Sequence, residues 1–535
     1  MHTPKWWQTA VIYQVYPRSF KDSNNDGIGD ICGITSKLDY LQKLGITAIW
    51  LSPVYASPNV DNGYDISNYY EVMPEFGTMK DLEELITQAK NRNIRIIMDL
   101  VVNHTSNQHP WFLAAQNGEK KYQDYYIFRD KENINKIQSF FGGSAWQLDN
   151  TLQKYYFHLF ASQQPDLNWA NPELRKEIWK MMHFWLKKGI GGFRLDVIDL
   201  IGKDPDKQIL GNGPHLHDYL HEMYQNVLKN YDVVTIGETG SVTPETAPLY
   251  TQADREELSM VFQFQHMALD EQLGKTKWDL RELSIPELKE VLSKWQTELP
   301  DNAWNSLFWS NHDQPRILSR WGNTQNFSLE SGKMLAMILH LMRGTPFVYQ
   351  GEEIGMTNQI IRSIDEAADI ESINYYHDQL QKGATKENIL ASINVKGRDN
   401  ARTPMQWSPS IYAGFSTKQP WYPVNSNYDK INAEANLQDK NSLFYTYQKL
   451  IKLRKENPII VWGTYQLLET SDSIFAYKRE YKNEAWLVCA NFSNHTNKIS
   501  FPQTAKETIL SNYDKRYNDL TSLTLLPYET FVVRI

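Results

Sequence analysis

The sequence predicts an α/β chain built as a (β/α)8 TIM barrel, with a subdomain inserted after the third strand and an antiparallel β domain at the C-terminus. Three observations lead there. Eight short apolar runs recur, at 11–16, 46–52, 94–102, 192–198, 233–238, 258–264, 306–310 and 347–350, each closing on polar or charged residues and most leading into an amphipathic helical pattern. Residues 104–169, rich in Asn, Gln, Tyr and Phe, break that rhythm between the third and fourth runs and read as a loop grown into a subdomain. From 458 onward the pattern turns to alternation, at 473–481 and 485–492, without helical stretches between, as antiparallel strands require. The expected division is 1–103 and 170–457 for the barrel, 104–169 for the inserted domain and 458–535 for a β-sandwich. A charged helical insertion is expected at about 359–398, after the eighth strand.

Bulk properties narrow the function. A chain of 535 residues exceeds one ordinary domain, yet a barrel with insertions absorbs most of it. The net charge of −8 comes without a basic block, which argues against nucleic acid and suits a small neutral substrate. Aromatic residues make up 13%, including 17 Trp and 30 Tyr, enough for sugar-stacking surfaces as well as large cores. Only Cys32 and Cys489 occur, far apart, which argues against a disulfide scaffold and permits a reducing compartment. The N-terminal stretch lacks the pattern of a signal peptide, and no stretch of about 18 apolar residues occurs. These features lead to the expectation of a cytoplasmic, unexported protein with no membrane or nucleic-acid partner, acting as a monomer.

The fourth run carries the first chemical signal. Gly192-Phe193-Arg194-Leu195-Asp196-Val197-Ile198 puts Arg194 and Asp196 two apart, on one face of a strand, with Phe193, Leu195 and Val197 on the other. An arginine at that distance favours the ionised carboxylate and lowers its pKa, which suits a nucleophile. Taken alone, the pair reads equally as a buried ion pair. A well-signalled helix precedes it: Asn171 as N-cap, Pro172 at the first position, then Leu174, Ile178, Met181 and Trp185 on one stripe, ended by Gly189. In such a barrel chemistry sits at the C-terminal ends of strands. Those ends carry Asp99 to His104, Arg194 with Asp196, Glu238, and Asn311-His312-Asp313. Three of these carboxylates, Asp196, Glu238 and Asp313, and two histidines converge there.

The ordered motifs DLVVNH, GFRLDVI, IGE and NHD resemble those of the α-amylase superfamily of retaining glycoside hydrolases, over essentially the full chain. Within it, YQVYPRSF, DNGYDISNY, FFGGSAW, QPDLNW and GRDNARTPMQW look like the oligo-1,6-glucosidase and glucan 1,6-α-glucosidase branch. The resemblance implies Asp196 as nucleophile, Glu238 as general acid/base and Asp313 as transition-state stabiliser, with Arg194 keeping Asp196 charged and apolar surroundings raising Glu238. It further implies that Asp65, His104, His312 and Arg398 bind hydroxyls of the terminal glucose while Tyr64 stacks on its ring. Asp65 with Arg398 then closes the pocket, which makes the enzyme exo-acting. Val197 resembles the branch that cleaves α-1,6 bonds, since relatives cleaving α-1,4 bonds usually carry Ala or Thr there. Lys277 and Glu371 align with contacts to outer glucose units. Gly240 departs from a tryptophan platform of dextran-cleaving relatives, so short isomalto-oligosaccharides are the expected substrates, with panose and dextran as further candidates. Trehalose-6-phosphate hydrolase, sucrose isomerase and α-1,4-glucosidase share this framework and are the rivals. A non-catalytic relative, such as a transporter heavy chain or a glucan-binding module, would not need the three acids.

A second motif concerns metal. Asp22, Asn24, Asp26 and Asp30 place oxygen atoms at alternate positions around Gly27, which suits Ca²⁺. It is not an EF-hand, because position twelve is Gly33. Relatives in the branch bind one structural Ca²⁺ here, and the resemblance implies Asp22, Asn24, Asp26, Asp30 and the Ile28 carbonyl as ligands.

Overall fold

The computed structural model describes residues 4–535. Eight parallel strands form its centre: β1 (Ile12–Val15), β2 (Ala48–Leu51), β3 (Arg95–Leu100), β4 (Gly192–Leu195), β5 (Val234–Glu238), β6 (Met260–Phe262), β7 (Ser306–Leu307) and β8 (Thr345–Tyr349). Each falls largely within one of the eight apolar runs. Neighbours pair in chain order from β1 to β6, β8 pairs with both β1 and β7, and a parallel bridge between Val261 and Asn305 joins β6 to β7 and closes the barrel. Seven strands are shorter than their runs, and after β2, β4 and β7 the polar tail, with Ser52, Asp196 and Ser310, has left the ladder and lies in the loops above it. Gly192 is needed at the start of β4: its φ is +142°, and a Cβ there would lie 1.9 Å from the Val234 carbonyl oxygen.

The helix before β4 is α1 (Pro172–Lys187). Asn171 caps it by accepting the Glu173 amide, and Leu174, Ile178, Met181 and Trp185 are all buried. Trp185 Nε1 also donates to the Tyr69 carbonyl at 3.0 Å, which fixes the helix against the barrel wall. Between β3 and β4 the chain forms a three-stranded antiparallel sheet from Phe128–Arg129, Lys154–Phe157 and Trp146–Asp149. It has a small core of its own, in which Ile137, Trp146 and Phe157 meet Leu200 and Val197 from the loop after β4. That contact brings the inserted sheet over the strand ends.

After β8 the helices α2 (Ile370–Gln381) and α3 (Lys386–Lys396) pack with Trp278 around Tyr376, Ile389 and Ile393. The C-terminal region holds a five-stranded antiparallel sheet and a two-stranded ladder. Its alternation buries both faces: Phe475, Tyr477, Trp486 and Val488 join the main core, while Ile474, Ala476, Leu487 and Cys489 form a second core. Cys32 is exposed, Cys489 is buried, and both are free thiols. Among the described residues no helix is long and apolar enough to cross a membrane.

Candidate active site

A cavity of about 250 Å³ opens at the C-terminal ends of the barrel strands. Asp196, Glu238 and Asp313 all line it, together with Tyr64, His104, Val197, Lys277, Glu371 and Arg398. Four ends of strands far apart in sequence thus deliver their polar residues to one place. The volume falls just below the roughly 300–1,000 Å³ of drug-sized sites, so one sugar ring is the scale of ligand it holds.

Arg194 organises the floor. Its Nη1 donates to Asp99 Oδ1 and Asp196 Oδ1, both at 2.8 Å, and its Nη2 donates to Glu238 Oε2 at 2.5 Å. Glu238 Oε2 also accepts the Val197 amide at 3.2 Å. Each of the two lining carboxylates is thereby held by one oxygen. Asp196 Oδ2 and Glu238 Oε1 have no hydrogen-bond partner among the described residues and are left for chemistry. Arg194 lowers the Asp196 pKa as expected, but it does not decide the net direction. Burial dominates and pushes the Asp196 carboxyl well above its ordinary range; Arg194 opposes this, while Glu238 and Asp99 reinforce it. The one guanidinium is shared by three carboxylates, so its charge does not offset the burial of Asp196 by itself.

Asp313 is the opposite case. Burial alone would raise it, yet His312, Arg398 and Arg402 hold it well below the ordinary carboxylate range. Arg402 Nη2 donates to its Oδ1 at 2.7 Å, and Arg398 Nη1 reaches the same oxygen at 3.5 Å. His312 lies just behind the cavity. Its Nδ1 accepts from Gln14 Nε2 at 2.8 Å, which leaves the proton on Nε2, 3.2 Å from Asp313 Oδ2. Burial lowers His312 to about 3 and His104 to about 4, so both rings are neutral donors at physiological pH. Tyr64 stacks on His312 with ring centres 5.2 Å apart and donates its hydroxyl to Asp99 Oδ2 at 3.0 Å.

Asp65 is not in the cavity. It is fully buried behind the loop, where its carboxylate accepts from the Val60 amide (2.9 Å), the Asp61 amide (3.1 Å) and the Ser57 hydroxyl (3.0 Å). The first aspartate of DNGYD takes its place: Asp61 lines the cavity, and Arg398 Nη2 donates to its Oδ1 at 3.2 Å. Burial pushes Asp61 up to about 6, against Arg398 and Arg402. Asp65 instead sets the turn that presents Asp61, through Asn59, Asn62 and Gly63, which all have positive φ.

Other lining residues escaped the sequence reading. Phe140, Phe141 and Phe160 form an aromatic wall from the inserted domain, with the Arg398 guanidinium 5.0 Å from the Phe141 ring centre. Phe140 and Phe141 sit within FFGGSAW and Arg402 within GRDNARTPMQW, so the motifs held the signal without saying which side chain turns inward. Lys277 and Glu371 meet at the cavity mouth at 2.5 Å. A Cβ at Gly240 would meet nothing within 4 Å, and the Gly240 amide donates to Asp199 Oδ2 at 3.1 Å, so this side of the site is open.

The loop at 22–30 lies apart from this cavity. Asp22 accepts the amides of Asn25 (2.7 Å) and Gly27 (2.9 Å) and the Ser416 hydroxyl (2.5 Å). Asp30 caps the following short helix through the Gly33 amide at 2.7 Å, and Asn24 Nδ2 donates to Asp26 at 3.0 Å. Among the described residues no group of three His, Cys, Asp or Glu side chains converges as a metal cage. The donor set, hard oxygens throughout, suits Ca²⁺. The Asn24 oxygen and the Ile28 carbonyl would have to complete the shell.

Residues 14–463 match the family description "Alpha amylase, catalytic domain", and residues 474–532 match "Alpha-amylase SusG C-terminal domain". The chain belongs to the alpha-amylase family. A glucan 1,6-alpha-glucosidase of Streptococcus pneumoniae is 54% identical over 534 residues, 99% of each chain. An oligo-1,6-glucosidase of Bacillus cereus is 51% identical over 555 aligned positions, again 99% of each chain. The crystal structure of Bacillus licheniformis trehalose-6-phosphate hydrolase superposes with a TM-score of 0.94 at 43% identity, covering 99% of this chain and 100% of that one. This alpha-amylase family member is therefore a glycoside hydrolase with the family's barrel and C-terminal β domain.

Proposed function

We propose that the protein is a retaining, exo-acting α-1,6-glucosidase that releases glucose from the non-reducing ends of isomaltose, panose and short isomalto-oligosaccharides. The observation that carries this reading is the shared guanidinium. Arg194 holds one oxygen of Asp196 and one of Glu238, so the two carboxyl groups lie side by side with their other oxygens free. Retention calls for two carboxyl groups at close spacing, about 5–5.5 Å, with no room for a water between them.

In the first step Asp196 Oδ2 attacks the anomeric carbon while the proton on Glu238 Oε1 passes to the departing glycosidic oxygen. The bond to the aglycone breaks and a covalent glucosyl ester forms on Asp196. In the second step Glu238 takes a proton from water, the hydroxide attacks the same carbon, and Asp196 leaves with its electron pair. Asp313, held ionised by Arg402 and Arg398, faces the positive charge that develops on the ring. His104 lines the ring's site, His312 supports Asp313 from behind, Tyr64 offers its face, and the Arg398 to Asp61 pair blocks the far end, so only a chain terminus fits. Val197 lines the cavity with both carboxylates and donates its amide to Glu238 Oε2, and that placement supports the α-1,6 reading.

A phosphorylated disaccharide is a weaker fit. The cation at the mouth, Lys277, is committed to Glu371 at 2.5 Å. We place the enzyme in the cytoplasm and assign one structural Ca²⁺ to residues 22–30, remote from the chemistry. Kinetics on isomaltose, isomaltotriose, panose, maltose, dextran and trehalose 6-phosphate test the proposal, with Asp196→Asn as the inactive control. Isomaltose and panose are expected to lead, with kcat/KM level or falling as chains lengthen past Gly240. Preference for trehalose 6-phosphate or maltose would overturn the linkage assignment.

A further inference from the structure

The helical insertion after β8 reaches the site through Glu371 and Arg398, and behind them stands a carboxylate that the proposed reaction does not use. Asp369 is fully buried and immediately precedes α2. Its two oxygens divide their main partners, although Oδ1 also accepts the Glu371 amide at 3.4 Å and lies 3.6 Å from Arg402 Nη1. Oδ2 accepts the Ser372 amide at 3.1 Å and the Ser372 hydroxyl at 2.8 Å, an N-cap interaction. Oδ1 accepts Arg398 Nε at 2.8 Å and lies 2.6 Å from Arg398 Nη2, a two-pronged grip on the guanidinium. The Asp369 amide in turn donates to Asp399 Oδ2 at 3.1 Å, so the cap is itself fastened to the segment that carries Arg398. Arg398 keeps its remaining donors for Asp61 and Asp313 on the sugar side. A long arginine side chain points one way only when something behind it removes its rotamer freedom.

We propose that Asp369 is a positioning residue of the sugar pocket: its Oδ1 fixes the Arg398 guanidinium across Asp61 and Asp313, while its Oδ2 ties that placement to the start of α2. The inference rests on the reading of Arg398 as a hydroxyl donor to the terminal glucose. Asp369 thus acts on sugar affinity from behind the lining residues Glu371 and Arg398, which the same insertion brings to the cavity.

Asparagine at 369 separates the two duties. Its amide oxygen caps a helix about as well as a carboxylate does, while its NH2 group meets Arg398 as donor against donor. Alanine removes both. Wild type, Asp369→Asn and Asp369→Ala are to be compared on isomaltose and p-nitrophenyl α-glucoside, with melting temperature and inhibition by glucose measured alongside. Asp369→Asn is expected to melt close to wild type, with KM and the glucose inhibition constant both raised about tenfold and kcat changed less. Asp369→Ala is expected to show the same loss of affinity and a lower melting temperature. Unchanged KM and glucose inhibition in Asp369→Asn would overturn the proposal, as would a joint fall of stability, kcat and affinity matching the alanine variant. If isomaltose proves a poor substrate while glucose inhibition on p-nitrophenyl α-glucoside still separates the variants, the linkage assignment falls and the positioning role stands.

Discussion

Val197 turns at φ +37° and ψ +45°, left-handed backbone that a β-branched side chain adopts only under constraint. The constraint is functional geometry. The turn aims the Val197 amide at Glu238 Oε2 and brings its side chain to the cavity wall beside Asp196. On the strand pattern Val197 reads as core filling, but β4 stops at Leu195, and the residues that do chemistry begin where the ladder ends. Trimming Val197 to alanine enlarges the wall next to the bond that breaks. One methyl-scale contact discriminates by about 1–3 kcal/mol, so Val197→Ala is expected to shift the isomaltose-to-maltose ratio of kcat/KM toward maltose by about tenfold. An unchanged ratio would show that linkage preference is set elsewhere. The DNGYD motif shows the limit of residue-level reading. It offers two aspartates four apart, and only the positive-φ turns at Asn59, Asn62 and Gly63 decide that Asp61 faces the sugar side and Asp65 the protein. Spacing carries no information about such a turn.

Elements with a strong period were legible and those defined by distant partners were not. The eight barrel runs and the stripe of α1 follow from local alternation and capping, which a sequence displays directly. The grip of Asp369 on Arg398 joins residues 29 apart, and the Phe140, Phe141 and Phe160 wall depends on how the inserted sheet leans over the barrel. The loop at 22–30 was legible as a turn of oxygen donors, and its proposed ion is testable at this scale. Its carboxylates accept several loop amides, so Ca²⁺ would add to a turn that hydrogen bonds also hold. Millimolar Ca²⁺ is expected to raise the melting temperature by a few degrees over the protein in excess chelator, since a ligand bound only by the folded state stabilises by mass action. Activity at low temperature should not change, because the loop touches no lining residue. Equal melting temperatures in Ca²⁺ and chelator would give the loop to its hydrogen bonds alone.

Across the whole molecule two sets of buried groups pull stability in opposite directions with pH. Burial lowers His104 to about 4 and His109, His266, His312 and His340 to about 3, all below the ordinary 6.5. The unfolded chain therefore binds their five protons first, and their contribution to stability is lost as pH falls below 6.5. Burial raises Asp61, Asp99 and Asp399 to about 6 and Asp199 and Glu352 to about 7. Here the folded state binds the protons first, so stability is lost as pH rises from the ordinary carboxylate range through 6 and 7. Between about pH 5 and 7 the unfolded state holds histidine protons and the folded state carboxyl protons, so the two slopes oppose each other. Below about pH 4.5 the balance ends. The unfolded carboxylates now take up protons as well, while Asp313, Asp369 and Asp270, held below their ordinary range by arginine and lysine partners, stay ionised in the fold. The melting temperature is thus expected to be level from about pH 5 to 7 and to fall steeply below about 4.5. Calorimetric scans across pH 3.5 to 8 at fixed ionic strength measure this directly. A steady slope between pH 5 and 7 would mean that one of the two sets does not titrate where burial places it.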